Sequence, residues 1–151
     1  MLSAITQIRH PLLTTLFLVR VNITNGELPM GLQDVDFPRA LEDIEFCCVT
    51  NFRHLPDDLD IKWPQYASIF LENCEFEEVP PALVRLAPYD LSLSLNPISR
   101  IPKELFESES VAYLSFGGTL ISELPENVEK MSSSLYDVNL SDTNLSFFGH
   151  G

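Results

Sequence analysis

Cys47, Cys48, His54 and Cys74 are the residues of this chain whose types could do covalent or metal chemistry. A thiolate is a nucleophile and a soft ligand, and an imidazole beside it can serve as base or second ligand. The spacing supports neither use. Zinc sites are built from paired ligands a few residues apart, whereas the close pair here is two adjacent cysteines, Cys47 and Cys48. Three cysteines, two of them neighbours, make no disulfide framework, so the fold does not depend on an oxidising compartment. "FGGT" lacks the lysine and spacing of a phosphate loop. His10 and His150, near the termini, read as solvated. The expectation is a non-enzymatic chain with no catalytic residues, no cofactor and no metal.

With 151 residues, 45% of them apolar, the chain fits one domain with a substantial core. Lys and Arg number 9 against 22 Asp and Glu, a formal net charge of -13. Such a surface repels phosphate backbones and anionic membranes, which excludes nucleic acid as the expected partner. The longest apolar stretch, "PLLTTLFLV", ends at Arg20 and falls short of the roughly 18 to 20 residues a bilayer span needs, so no membrane insertion by this segment is expected. "MLSAITQIRHPLLTTLFLV" does put a basic residue before an apolar block, as a secretory signal would, but "RVNITNG" lacks the small residues of a cleavage site. Sequons at Asn22, Asn139 and Asn144 pull toward the secretory route.

What positions these residues is an internal repeat. In "LSLSLNPISRIPKELF" apolar and polar residues alternate as in a half-buried strand, and two prolines then forbid its continuation. The dipeptide of apolar residue plus proline recurs at Leu28-Pro29, Leu55-Pro56, Val79-Pro80, Ile101-Pro102 and Leu124-Pro125, at intervals of 27, 24, 22 and 23. Within units the apolar offsets hold: Tyr66, Ile69, Leu71, Cys74, Phe76, Val79 and Leu83; then Leu91, Leu93, Asn96, Ile98, Ile101 and Leu105. Val111, Leu114, Phe116, Thr119, Ile121, Leu124 and Val128 repeat them, and Leu135, Val138, Leu140, Thr143, Leu145 and Phe148 form a partial copy. Two earlier copies are looser, Leu41 to Leu59 with one extra residue and Leu13 to Leu32 with two.

The pattern LxxLxLxxNxL followed by xxIPxxLF resembles that of the leucine-rich repeat family, from about Leu13 to Phe148. The resemblance implies an α/β repeat solenoid of about six coils, with short parallel strands on a concave face and loops, 3-10 turns or short helical turns on the convex face. The expected units are 13–40, 41–65, 66–87, 88–110, 111–134 and 135–148, after a flank at 1–12 and before a tail at 149–151. Leu91 and Leu93 point inward and Ser92 and Ser94 outward, because strand side chains alternate. Asn96, Thr119 and Thr143 can hydrogen-bond backbone at the turn that follows, Cys74 only weakly, and Val49 not at all, which marks the second coil as irregular. The frame also sends Cys74 inward and His54 to the far side of the coil from Cys47.

The outward strand positions compose the candidate binding surface: Asp43, Glu45, Phe70, Glu72, Asp90, Ser92, Ser94, Tyr113, Ser115, Asp137 and Asn139. Cys47, Ser68, Asn73, Gly117, Gly118, Ser141 and Asp142 extend it. It is acidic at both ends, with Phe70 and Tyr113 as aromatics of the kind that anchor interfaces. The partner expected is a protein or peptide with basic residues, in signal transduction or a similar docking role. The alternative is the ligand-recognition ectodomain, or a fragment of one, of a membrane-tethered receptor. Neither end shows a polar cap, and the chain stops in mid-repeat at "LSFFGHG"; a segment of a longer array, a truncated product or self-association through the ends is expected.

Overall fold

In the computed structural model residues 5–146 are described. Six strands, β1 Thr15–Val19, β2 Asp43–Cys47, β3 Ser68–Glu72, β4 Asp90–Ser92, β5 Tyr113–Ser115 and β6 Asp137–Asn139, form one all-parallel sheet in chain order. The fold is therefore α/β with few helices, an arrangement compatible with a solenoid-like repeat. Parallel neighbours need a crossover between them. Here it is made by 3-10 turns at Met30–Leu32 and Leu59–Ile61 in the earlier connections, and by short helices α1 Pro81–Leu86 and α2 Glu104–Glu107 in the later ones. Proline sets where these begin: Pro80 and Pro81 open α1, and Pro102 accepts the first turn bond before α2, from Leu105 N at 3.2 Å.

The register stacks like on like. Ile44 pairs with Ile69, Phe46 with Leu71, Ile69 with Leu91, and Leu91 with Leu114. These inward side chains are sealed, as are Leu93 and Phe116, while the Ser92 and Ser94 hydroxyls stand on the other face, bonded to Glu72 and Ser115. Behind the sheet Phe46, Phe52 and Phe76 form a chain of rings with centroids 4.9 and 5.0 Å apart, in the tilted and edge-on arrangements aromatic quadrupoles favour. The longer connections before β2 and β3 bury a second aromatic unit outside the repeating frame. Phe37 stacks on Trp63 at 5.6 Å, and the Trp63 indole N–H donates to Leu32 O at 2.8 Å, which satisfies its polar atom in the core.

Two inward assignments are corrected. Tyr66 is 65% exposed, because its backbone lies in the left-handed region (φ 64) and turns the ring out just before β3. Leu124 is 40% exposed, since the connection from β5 to β6 has no helix to fold it back. Phe148 lies outside the described residues.

The turn after each strand is set by two devices. Side chains staple one: Asn96 Nδ2 donates to Leu71 O at 2.7 Å and Leu93 O at 2.9 Å while its Oδ1 accepts from Phe76 N at 3.1 Å. Thr119 and Thr143 donate only within their own turns, to Phe116 O and Leu140 O at 2.6 and 2.9 Å. Cys74 Sγ lies 3.4 Å from Glu72 O. Val49 is buried without a polar role, and the staple moves two residues on, to Asn51, which donates to Ile23 O and accepts from Ile23 N. The backbone supplies the other device. Arg20, Cys48, Asn73, Leu95, Gly118 and Asp142 all have positive φ, between 50 and 67°. Each N–H in this column, from Arg20 to Gly118, donates across to the next strand's end: Arg20 to Cys47 O, Cys48 to Glu72 O, Asn73 to Ser94 O, Leu95 to Gly117 O and Gly118 to Ser141 O. The interstrand bond offsets the cost, about 1 to 2 kcal/mol, that a non-glycine residue meets in this conformation.

Candidate functional site

The outward strand positions fall into registered rows. One runs Thr15, Asp43, Ser68, Asp90, Tyr113, Asp137 and the next Phe17, Glu45, Phe70, Ser92, Ser115, Asn139. A third begins Val19, Cys47, Glu72. The sheet rows thus bring ten of the eleven candidate residues onto one face, with Ser94 just past the end of β4 beside Ser92 and Ser115, and they add Phe17 and Val19, which are 61% and 52% exposed. Period-2 alternation in "TLFLV" was the signal for these two. The repeat frame does not place them, because the first repeat is offset from it by two extra residues.

Depth on this face differs from expectation. Ser92 and Ser115, expected open to a visitor, are 0% and 2% exposed, and Ser68 is buried as well. The physical reason is a hydrogen-bonded row that closes over them. Ser92 Oγ donates to a Glu72 carboxylate oxygen and lies 3.2 Å from Ser94 Oγ; Ser94 and Ser115 hydroxyls meet at 2.7 Å; Asn139 Nδ2 donates to Ser115 Oγ at 3.1 Å. Small hydroxyls in the middle strands let neighbouring strands' longer side chains lean over them, so the serines tie the sheet together rather than face solvent. Gly117 is buried by the same crowding, since a Cβ there would meet Asn139 Nδ2 at 3.1 Å. What stays accessible is Phe17, Val19, Asn73, Asp137, Ser141 and Asp142, with Asp43, Glu45, Phe70, Glu72, Asp90, Ser94, Tyr113 and Asn139 half-buried.

At the entry edge of the strands the face runs into a cleft of about 540 Å³ whose lining includes Asp43, Ser68, Asp90, Tyr66 and Tyr89. Ser68 Oγ donates to Asp90 Oδ2 at 3.2 Å, and Asp90 Oδ1 is buried with no hydrogen bond among the described residues. Arg39 also lines the cleft, but its guanidinium is turned to the carbonyls of Val35, Ile61 and Trp63 at 3.3 to 3.5 Å. Further along the same edge Tyr136 is 71% exposed, and partial burial of its phenol, then the charge of Asp90, raises its pKa.

At the opposite, exit edge lie the cysteines. All three are free thiols. Cys74 is buried, and desolvation pushes its thiol up to about 11. Cys47 Sγ and Cys48 Sγ are 3.4 Å apart, and that hydrogen bond, with burial and the Glu72 and Glu45 carboxylates behind it, raises Cys47 to about 11. Cys48 is shifted down, chiefly because Asn73 Nδ2 donates to its sulfur at 3.4 Å, then through Cys47 and the Arg20 charge. His54 is exposed and pairs its backbone with Glu27. Among the described residues no three His, Cys, Asp or Glu side chains gather closely enough to hold a metal ion, and no helix is long and apolar enough to cross a membrane. Neither a comparison with protein-family models nor one with curated proteins finds a match.

Proposed function

We propose that the chain is a leucine-rich-repeat solenoid acting as a non-enzymatic protein-binding module, whose concave sheet face docks a protein or peptide segment carrying Lys or Arg. The observation that carries this reading is the registered alternation of aromatic and acidic side chains on one face, with Phe17, Glu45 and Phe70 adjacent in one row and Asp43, Asp90, Tyr113 and Asp137 in the next. Aromatics supply contact area and a face for cations, and carboxylates beside them supply charge complementarity and register. The Asp90 oxygen in the cleft is an acceptor that an arginine or lysine head would satisfy. The net charge of -13 would accelerate capture of such a partner at low salt.

Selection from a displayed random-peptide library tests the reading. Enriched peptides should carry Lys or Arg, and their affinity by fluorescence anisotropy should weaken at least about tenfold in Phe70→Ala, the usual size of losing an aromatic anchor. Glu77→Gln with Glu78→Gln, in the exposed stretch before Val79, should leave it unchanged. Acidic or charge-free winners, or affinity lost in the Glu77/Glu78 variant and kept in Phe70→Ala, would reject the concave face.

A further inference from the structure

The adjacent cysteines at the exit edge of the sheet, Cys47 bordering the docking face and Cys48 in the turn beyond it, are treated by the fold differently from Cys74. Cys74 is buried, with its thiol against the Glu72 and Phe46 carbonyls at 3.4 and 3.9 Å. Cys47 and Cys48 are both half-exposed. Cys47 closes β2 on the outward face, and Cys48 follows with φ 56, in the column of left-handed turn residues. That column fixes its neighbours. Arg20 occupies the same position after β1 and Asn73 after β3, tied to β2 by Arg20 N donating to Cys47 O and Cys48 N donating to Glu72 O, each at 3.0 Å. The Cys48 sulfur therefore has a thiol at 3.4 Å, an amide donor at 3.4 Å and a guanidinium from the preceding turn.

We propose that Cys48 is a reactive-thiol site, with Cys47 as its resolving partner, at which hydrogen peroxide closes a reversible Cys47–Cys48 disulfide. The geometry divides the labour. Donors converge on the Cys48 sulfur from Asn73, from the Cys47 S–H and from Arg20, so negative charge settles there. The hydrogen bond to Cys48, then burial and the Glu72 and Glu45 charges beside it, keep Cys47 protonated, so Cys47 is the hydrogen-bond donor of the pair. The Cys48 thiolate attacks one peroxide oxygen, the O–O bond breaks, and one solvent proton completes the leaving hydroxide as water, giving a Cys48 sulfenic acid. Cys47 sulfur then attacks Cys48 sulfur; the S–S bond forms, the S–O bond breaks, and the hydroxyl leaves as a second water with the Cys47 proton. Each sulfur has lost one electron, and the peroxide has gained two. Adjacent Cα atoms sit about 3.8 Å apart, below the roughly 4.4 to 6.8 Å of relaxed disulfides, so the ring is strained and a monothiol reopens it.

The test starts from the unaltered, reduced chain. Limiting iodoacetamide at pH 7, followed by peptide mapping, should label Cys48 at least about tenfold faster than Cys47 or Cys74, and Arg20→Gln should slow that labelling severalfold. After hydrogen peroxide the intact mass should fall by two hydrogens, and the monothiol glutathione should restore it. In Cys47→Ser the same treatment should instead leave a Cys48 sulfenic acid that dimedone traps. Faster labelling of Cys47 or Cys74 overturns the proposal. So does a peroxide product that gains oxygen without losing hydrogens, or one that is the same in the wild type and Cys47→Ser.

Discussion

Asn96 puts a polar side chain where the sheet turns away from its face, and at 2% exposure its bonds have no water to replace them. It donates to Leu71 O and Leu93 O and accepts from Phe76 N, so one residue pairs backbone groups on its own strand and the one before. Asn96→Leu fits the volume but strands those groups, and a loss of about 3 kcal/mol is expected from urea unfolding, with an unchanged m-value. Hydrogen bonding also decides which sequons can be used. Asn139 Nδ2, the atom a glycan would take, already donates to Ser115 Oγ at 3.1 Å, whereas Asn22 and Asn144 are exposed. Passed through a secretory host, the chain should carry glycans at Asn22 and Asn144 and none at Asn139, as read by peptide mass after glycosidase treatment; occupancy at Asn139 would mean the serine row opens. The direction of each site side chain was legible in the sequence, because alternation has period 2. Depth was not: Ser92 and Ser115 look solvent-facing until Glu72, Ser94 and Asn139 are seen to close over them, and that requires the register between strands.

The connecting elements follow from where proline allows a helix to begin and where the backbone can turn over at its end. Helix α1 begins at Pro80-Pro81 and stops at Ala87, which adopts the left-handed conformation (φ 49, ψ 56) with its N–H on Val84 O. Glycine is the residue that takes this cap without steric cost. Ala87→Gly is therefore expected to raise stability by about 1 kcal/mol, visible as a higher thermal midpoint. No gain would mean that the alanine methyl packs well enough to cancel the strain. The parallel strands and the proline-led returns were readable from the spaced apolar-proline dipeptides, since a residue that cannot donate to a ladder marks its end. The early connections were not. Their extra residues break the frame, so the Phe37–Trp63 stack and the displaced Asn51 staple had no repeat to announce them. Gly26 shows why Asn51 belongs there: with φ 72 and Asn51 O only 2.6 Å from where a Cβ would stand, the two turns meet backbone to backbone.

Across the described residues each strand pairs only with its neighbours in the chain, so the sheet's cohesion is passed from strand to strand over one continuous row of buried side chains. Burial is correspondingly uneven. Leu93, in the middle, is fully enclosed, while Leu140, at the equivalent place after β6, is only partly covered, as are Leu16 and Leu18 in β1. The same leucine truncation should therefore cost different amounts along the array. Leu93→Ala removes contacts on both sides and leaves a cavity, at a cost of about 2 to 5 kcal/mol. Leu140→Ala gives up surface that water already reaches, and about 1 kcal/mol is expected. Denaturant unfolding of both variants by circular dichroism measures the difference, and hydrogen exchange adds its location: amides of β6 should exchange faster than those of β3 and β4 in the wild type. Equal costs for the two leucines, or uniform protection across the strands, would mean that the sheet unfolds as one block and that strand-by-strand transmission is the wrong physical picture.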